Sequence, residues 1–292
     1  MRRSRSSRDQ DRRRCQPPFV MSGGRRTAMR VVLVVIAALV LLGTLAGLGV
    51  LAIGLSGSRL ITDTAVLPTD LRQLTIDTGN VPVAVRLITE DEAPAPRVDL
   101  RMVTRADDPP LAVTVEADRS RLTLRDSGSE FLWFNATGEI KVVLPPDVGR
   151  LLSVTVNHSA GTLTSEADLD QLVAKSDDGT VTLGGSARLI DVDVRRGDVN
   201  TSTRIAVSES FTATAKSGNI SVEFRAAPRT TEAIASGNVT VGMPRSEPYR
   251  VRTRSGPPDG ETRVTVATTT DAGAPVVTAR SESGNVQVIE TR

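Results

Sequence analysis

From Leu60 to the end of the chain, apolar and polar residues alternate with a period of two, as in LAVTVEA, RLTLRD, EIKVVL and FTATAK. No stretch there repeats its apolar positions every 3.6 residues, so the pattern predicts an all-β region of short strands. Pro, Gly, Asp and Asn interrupt it at short intervals, as turns require. The segment before it differs. Val31 to Leu55 (VVLVVIAALVLLGTLAGLGVLAIGL) runs unbroken without a charge. A helix of that length, at ~1.5 Å per residue, covers the ~30 Å hydrocarbon core of a bilayer. Signal-peptide cores of ~7 to 15 residues are too short to account for it. The pattern therefore predicts an N-terminal transmembrane helix, with the lipid bilayer as partner of residues 31–55.

Within the β region one turn recurs: a small or polar residue, Gly, a polar residue, then an aliphatic one. It is written TGNV, TGEI, AGTL, DGTV, RGDV, SGNI, SGNV and SGNV around Gly79, Gly138, Gly161, Gly179, Gly197, Gly218, Gly237 and Gly284. From Gly138 through Gly161, Gly179, Gly197, Gly218 and Gly237 to Gly256 the intervals are nearly equal. A period of roughly 20 predicts a β-solenoid, stacked coils each holding two short strands and two turns. The eight glycines are expected to be structural, since tight turns use positive φ, where glycine meets no steric cost. The position two after each glycine is always aliphatic, and the position five before is nearly so, with Glu232 the charged exception. Both columns are expected to face inward. An antiparallel meander or sandwich is the alternative architecture, and Leu111 to Asp126 reads locally as a hairpin. The final strand, VQVIETR, is expected to leave an edge exposed or paired with something.

These patterns divide the chain into an arm over residues 1–30, the transmembrane helix over 31–55, a linker over 56–70, a β capping region over 71–146 and the solenoid over 147–292.

Charge adds a direction to this plan. The formal net charge of +2 hides ten Arg against two Asp between Met1 and Arg30, and 25 basic side chains against 32 acidic ones from Leu60 onward. The arm is polar, Arg/Ser-rich and broken by Pro17-Pro18, a composition expected to be disordered. Arginines flanking an apolar span keep their side in the cytoplasm. Arginine outnumbers lysine 33 to 3, a composition associated with GC-rich bacteria. The expected location is thus a bacterial cell membrane, single-pass, with the N-terminus cytoplasmic and the C-terminal domain extracytoplasmic. No aromatic or groove-reading motif accompanies the charge, so nucleic acid is not an expected partner.

Candidate chemistry is sparse. One Cys and one His, Cys15 and His158, exclude a disulfide framework and leave little for zinc sites or a nucleophile–histidine centre. Asp191 and Asp193 share the outer face of a strand, where calcium binding or paired-carboxylate hydrolysis can be imagined. Val192, Val194 and Arg195 make that face an ordinary solvated strand instead. His158 falls in an inward column and is expected to be a satisfied, partly buried histidine. Phe131, Trp133 and Phe134 are expected to form an end-cap cluster. No catalytic, cofactor-binding or metal-ligating residue is expected.

The run LPPDVGRLLSVTVNHSAGTLTSEADLDQLVAKSDDGTVTL, followed by RRGDVN, KSGNISV, ASGNVTV and ESGNVQV, resembles the bacterial putative-adhesin family of β-strand-repeat proteins. The resemblance covers about Thr75 to Arg292. It implies a β-solenoid-like extracytoplasmic domain, often membrane-tethered, without established catalytic residues. The expected function is a non-enzymatic, adhesin-like or scaffolding module that binds an envelope protein or a cell-wall polymer. Envelope sensing through the basic arm is a second reading, and a carbohydrate-active β-helix enzyme a third.

Overall fold

The computed structural model describes residues 59–104, 111–116, 118–124, 138–256 and 260–291, together with 34, 36, 37, 40, 41 and 44. The chain falls into two units, Met1–Gly57 and Ser58–Arg292. In the first, the six described positions are helical and exposed, and Thr44 Oγ1 donates to the Leu41 carbonyl at 2.9 Å.

The second unit begins with β1 (Arg59–Val66), β2 (Gln73–Asp77), β3 (Val83–Thr89), β4 (Arg97–Thr104), β5 (Leu111–Glu116), β6 (Arg119–Leu124) and β7 (Gly138–Leu144). One helical turn, α1 (Pro146–Gly149), follows, with its fixed-φ proline in the first turn and Asp147 beside it. Then come β8 (Ser153–Glu166), β9 (Asp168–Leu183), β10 (Ser186–Arg196), β11 (Val199–Thr201), β12 (Ile205–Ala215), β13 (Ile220–Ala226), β14 (Thr230–Ala235) and β15 (Val239–Pro244). The last strands are β16 (Arg250–Arg254), β17 (Thr262–Val264), β18 (Val276–Ser281) and β19 (Val286–Thr291).

All nineteen strands join one sheet. Among the described residues parallel pairing dominates, and antiparallel pairing is confined to β1–β4, β4–β7 and β5–β6. The antiparallel meander is therefore not the architecture, although the hairpin read over Leu111 to Asp126 does form, with Val113 opposite Leu122.

The stacked-coil solenoid behind a transmembrane helix is corrected in three respects. First, the pairings β9–β10, β10–β12, β12–β13, β13–β11 and β11–β9 return to their starting strand. They are all parallel, so the centre is a closed five-strand barrel with outer strands added to it. A solenoid coil bonds only to the coils before and after it, whereas here Ile205 of β12 pairs with Phe224 of the next strand, β13. Second, β8 and β9 are 14 and 16 residues long and run straight through Gly161 and Gly179, where short strands separated by turns were expected. Third, among the described residues no helix is long and apolar enough to cross a membrane. The expected anchor over 31–55 lies mostly outside the described residues, so neither the anchor nor the single-pass, cytoplasmic-to-extracytoplasmic placement drawn from it is carried by this structure. The arm over 1–30 and the cluster Phe131, Trp133 and Phe134 also lie outside the described residues.

Alternation builds the core. The inward column Val156, Ala174, Val192, Ala213, Ala233 and Ala279 runs across β8, β9, β10, β12, β14 and β18 in continuous register. A second column, Leu163, Val181, Val199, Ile220, Val239 and Val286, crosses β8, β9, β11, β13, β15 and β19. Every member of both is buried. The charged exception disappears because the ladder pairs Ala213 with Ala233, leaving Glu232 beside Thr212 on the outer face. Phe211 and Phe224 are both buried in the interior and meet edge to face, with centroids 5.1 Å apart.

The end of the chain is not an edge. β18 sits between β14 and β16, and β19 between β15 and β17. The strands with one named partner each at this end are β16 and β17. Strand β16 carries Arg250, Arg252 and Arg254, charges of the kind that blunt exposed edges.

Candidate functional site

The predicted glycines separate into groups. Gly161, Gly179, Gly197 and Gly218 have φ of 120°, 130°, 136° and 155°, and a Cβ built on any of the last three would collide with the carbonyl oxygen of the glycine before it. Gly237 and Gly284 extend this contact, each with the preceding glycine's carbonyl group 2.7 Å from a would-be Cβ. Gly79, at φ 55°, turns elsewhere, with only the Leu124 carbonyl 3.6 Å from its would-be Cβ. Gly138 opens β7 opposite Val83.

The Asp or Asn that follows Gly197, Gly218, Gly237 and Gly284 has its own task, bonding to the next turn where the motif alone suggests only a local bond. Asp198 Oδ1 accepts from the Asn219 N–H at 2.8 Å, Asn219 Oδ1 from Asn238 N–H at 2.9 Å, and Asn238 Oδ1 from Asn285 N–H at 2.9 Å. Asn285 Oδ1 then accepts from the Glu261 N–H at 2.8 Å. This ladder of side-chain oxygens satisfies backbone donors that the turns leave without strand partners.

His158 is buried in the inward column shared by Ser176, Val194, Ala215, Ala235 and Ser281. Its Nε2 lies 2.8 Å from the Val83 carbonyl and must donate, so Nδ1, 3.3 Å from Ser176 Oγ, accepts the serine hydroxyl. Burial pushes the imidazole below its ordinary value, and the Val83 bond opposes that only in part. The arrangement holds a neutral ring in place. Ser159, beside it, donates instead to the Val81 carbonyl.

Above His158 lies a groove lined by Asp77, Asn157, Lys175, Asp177, Asp193, Arg195 and Lys216. Its charges are shared between neighbouring strands: Arg195 Nε lies 3.0 Å from Asp177 and Lys216 Nζ 3.8 Å from Asp193. Asp191, the other half of the acidic pair, stands between Val173 and Thr212. Asp193 is engaged with a lysine, and among the described residues no cluster of three metal-ligating side chains occurs.

Ion pairing across adjacent strands continues over this surface. Arg188 grips Asp170 with two nitrogens at 2.8 and 3.0 Å and reaches Glu209 at 2.8 Å. The fork holds the Asp170 carboxyl below its usual range and the Arg188 guanidinium above its own. Arg196 pairs with Asp178 at 3.0 Å, and Arg86 with Glu166 at 2.8 Å. In each of these pairs an acid on one strand meets a base on its neighbour.

That pattern does not extend to β16 and its neighbour β18. Register places Arg254 of β16 directly opposite Arg280 of β18, with Arg252 beside Thr278 and Arg250 beside Val276. Arg252, Arg254 and Arg280 are exposed, and none of the four arginines makes an ion pair with a described residue. The alternation RVRTR announced one arginine-bearing face. That Arg280 joins it depends on β18 inserting between β14 and β16, which no local pattern encodes.

No protein-family profile matches the chain, and no curated protein matches it. Solved structures similar to it include a putative cell adhesion protein from Clostridium sporogenes, at 11% identity and TM-score 0.40, covering 80% of this chain and 100% of that one. Another is a putative adhesin from Parabacteroides merdae, at 14% identity and TM-score 0.44, covering 80% and 97%. A third is a putative lipid binding protein from Parabacteroides distasonis, at 12% identity and TM-score 0.41, covering 78% and 96%.

Proposed function

We propose that this chain is a non-enzymatic binding module that presents the outer face of its sheet to a macromolecular partner. The observation that supports this most directly is the state of the charged groups. Paired carboxylates for acid–base work need one group free to hold a proton and one free to attack. Here Asp193 is engaged by Lys216, Asp177 by Arg195 and Asp170 by Arg188, while the lone imidazole is buried between Val83 and Ser176. What remains is a continuous, in-register and largely polar row of Thr155, Val173, Asp191, Thr212, Glu232 and Thr278, backed by a core of small aliphatic side chains. A rigid surface of this kind suits contact with an extended ligand, where side chains need no reorganisation to bind. The stacked glycines belong to the same design, since they let consecutive turns touch backbone to backbone and so fix the register of the face above them.

The resemblance of the S-G-[DN]-[VI] turns to the adhesin-like β-repeat family points the same way. The test is a binding survey of the full chain against immobilised glycopolymers and proteins, with each bound ligand challenged for turnover. Saturable binding without chemical change is expected. Turnover of a glycan or ester that is lost on Asp191→Ala or Asp193→Ala would overturn the proposal.

A further inference from the structure

Four arginines are grouped at one corner of the outer face. Arg250, Arg252 and Arg254 alternate along β16 and therefore share one side of it, each about 6.6 Å from the next. Arg280 faces Arg254 from β18. Like charges directly opposite on neighbouring strands repel. Elsewhere on this surface neighbouring strands alternate acid and base, as in Asp170 with Arg188 and Asp178 with Arg196. The acids nearest the group by register are Glu232, separated from Arg252 by Thr278, and Glu282, one position beyond the β18 strand; neither is ion-paired to it among the described residues. Arg250 Nε is buried and has no hydrogen-bond partner among the described residues.

Protection of an exposed strand edge accounts for charge on β16. It does not account for Arg280, because β18 is an interior strand flanked on both sides. Nor does it require guanidinium groups, whose planar forks match phosphate and carboxylate oxygens two at a time. We propose that this stripe is the docking site for a linear, non-aromatic polyanion, a glycopolymer carrying phosphodiester or carboxylate groups along its length. This rests on the binding-module reading and names its ligand class. The linear arrangement follows from three arginines in file along one strand. The absence of bases from the ligand follows from the surface: the described aromatic residues, Tyr249, Phe211 and Phe224, are all buried, so among the described residues no ring is exposed there on which a base could stack. A protein partner is disfavoured because the residues that share the face with the stripe, Val276, Thr278 and Ile234, include no aromatic side chain of the kind that protein interfaces centre on.

The experiment titrates the full chain with poly(glycerol phosphate), polygalacturonate, neutral dextran and a single-stranded oligonucleotide at physiological salt. Phenylglyoxal protection, read peptide by peptide, locates the contact independently of the ten arginines between Met1 and Arg30. The two polyanions distinguish a phosphodiester source from a carboxylate one, and binding of either with protection of Arg252, Arg254 and Arg280 supports the proposal. The Arg252→Gln/Arg254→Gln/Arg280→Gln variant is expected to bind about 100-fold more weakly, from the contribution typical of a basic residue at an anionic surface. Arg252→Glu/Arg254→Glu keeps a charged edge, and is expected to stay folded by circular dichroism while losing binding. Unchanged affinity in both variants, or protection confined to the stretch from Met1 to Arg30, would overturn the site. Equal binding of the oligonucleotide at the stripe would overturn the ligand class. Failure of every polyanion, with another ligand found in the wider survey, would remove this inference and leave the binding module standing.

Discussion

Gly179 lies so closely against Gly161 that a Cβ on Gly179 would run into the Gly161 carbonyl oxygen, while its φ of 130° lies in a region that side-chain-bearing residues rarely adopt. Steric and conformational costs therefore act together at this turn. Gly179→Ala and Gly197→Ala are each expected to destabilise the fold by about 3 kcal/mol or more. Gly273, whose would-be Cβ meets only Asp271 Oδ1 at 3.7 Å, is the control, and Gly273→Ala is expected to stay within about 0.5 kcal/mol of wild type. Urea unfolding of the three variants measures the contrast. Equal losses at all three sites would show that glycine packing is not what holds these turns.

The asparagine ladder makes a different prediction, because its contribution lies in an accepting oxygen. Asn238→Ala removes the acceptor for the Asn285 N–H and is expected to cost about 1 kcal/mol. Asn238→Asp keeps an acceptor in place, as Asp198 already does for Asn219, and is expected to retain most of the stability. Hydrogen exchange at the Asn285 amide, faster in the alanine variant and near wild type in the aspartate one, is the direct readout.

His158 supplies a pH dependence with a definite sign. Its value is lowered in the fold, so on acidification the unfolded chain takes up a proton first. Stability conferred by the neutral, buried ring is complete above the unfolded value near 6.5 and falls as the pH drops below it, until the folded ring also titrates. The chain has one histidine, so the effect has no competing source among imidazoles. His158→Gln should flatten the stability profile just below about pH 6.5. A profile of unchanged slope would show that the ring is not held neutral.

The interior aromatic pair should behave as a packing element. Phe211 and Phe224 are fully buried and meet edge to face at 84°. Phe211→Ala is expected to cost about 3 to 5 kcal/mol, and Phe211→Leu considerably less. Equal losses for the two variants would place the stabilisation in the aromatic contact and not in filled volume.

Strand positions and inward columns were legible because a period of two is local: Val156, Ala174 and Val192 could be aligned on their glycines alone, and they share one buried column. Closure was not. The parallel pairing of Ile205 with Phe224 joins consecutive strands whose own patterns look like those of any neighbouring pair. The slip that turns Glu232 outward also escaped, because aligning Gly218 with Gly237 sets Ala213 against Glu232, whereas the strands pair Ala213 with Ala233, one position further on. Arg254 and Arg280 are distant in sequence and meet only because β18 inserts between β14 and β16, a non-local choice made by packing.

The central claim is that this chain binds a macromolecule and leaves it chemically intact. The most direct measurement is the mass of a ligand recovered after saturation of the full chain, prolonged incubation and release by salt. An unchanged mass, with binding that falls as ionic strength rises, is the predicted result. Shortened, de-esterified or otherwise altered polymer, produced in proportion to the protein present, would contradict it.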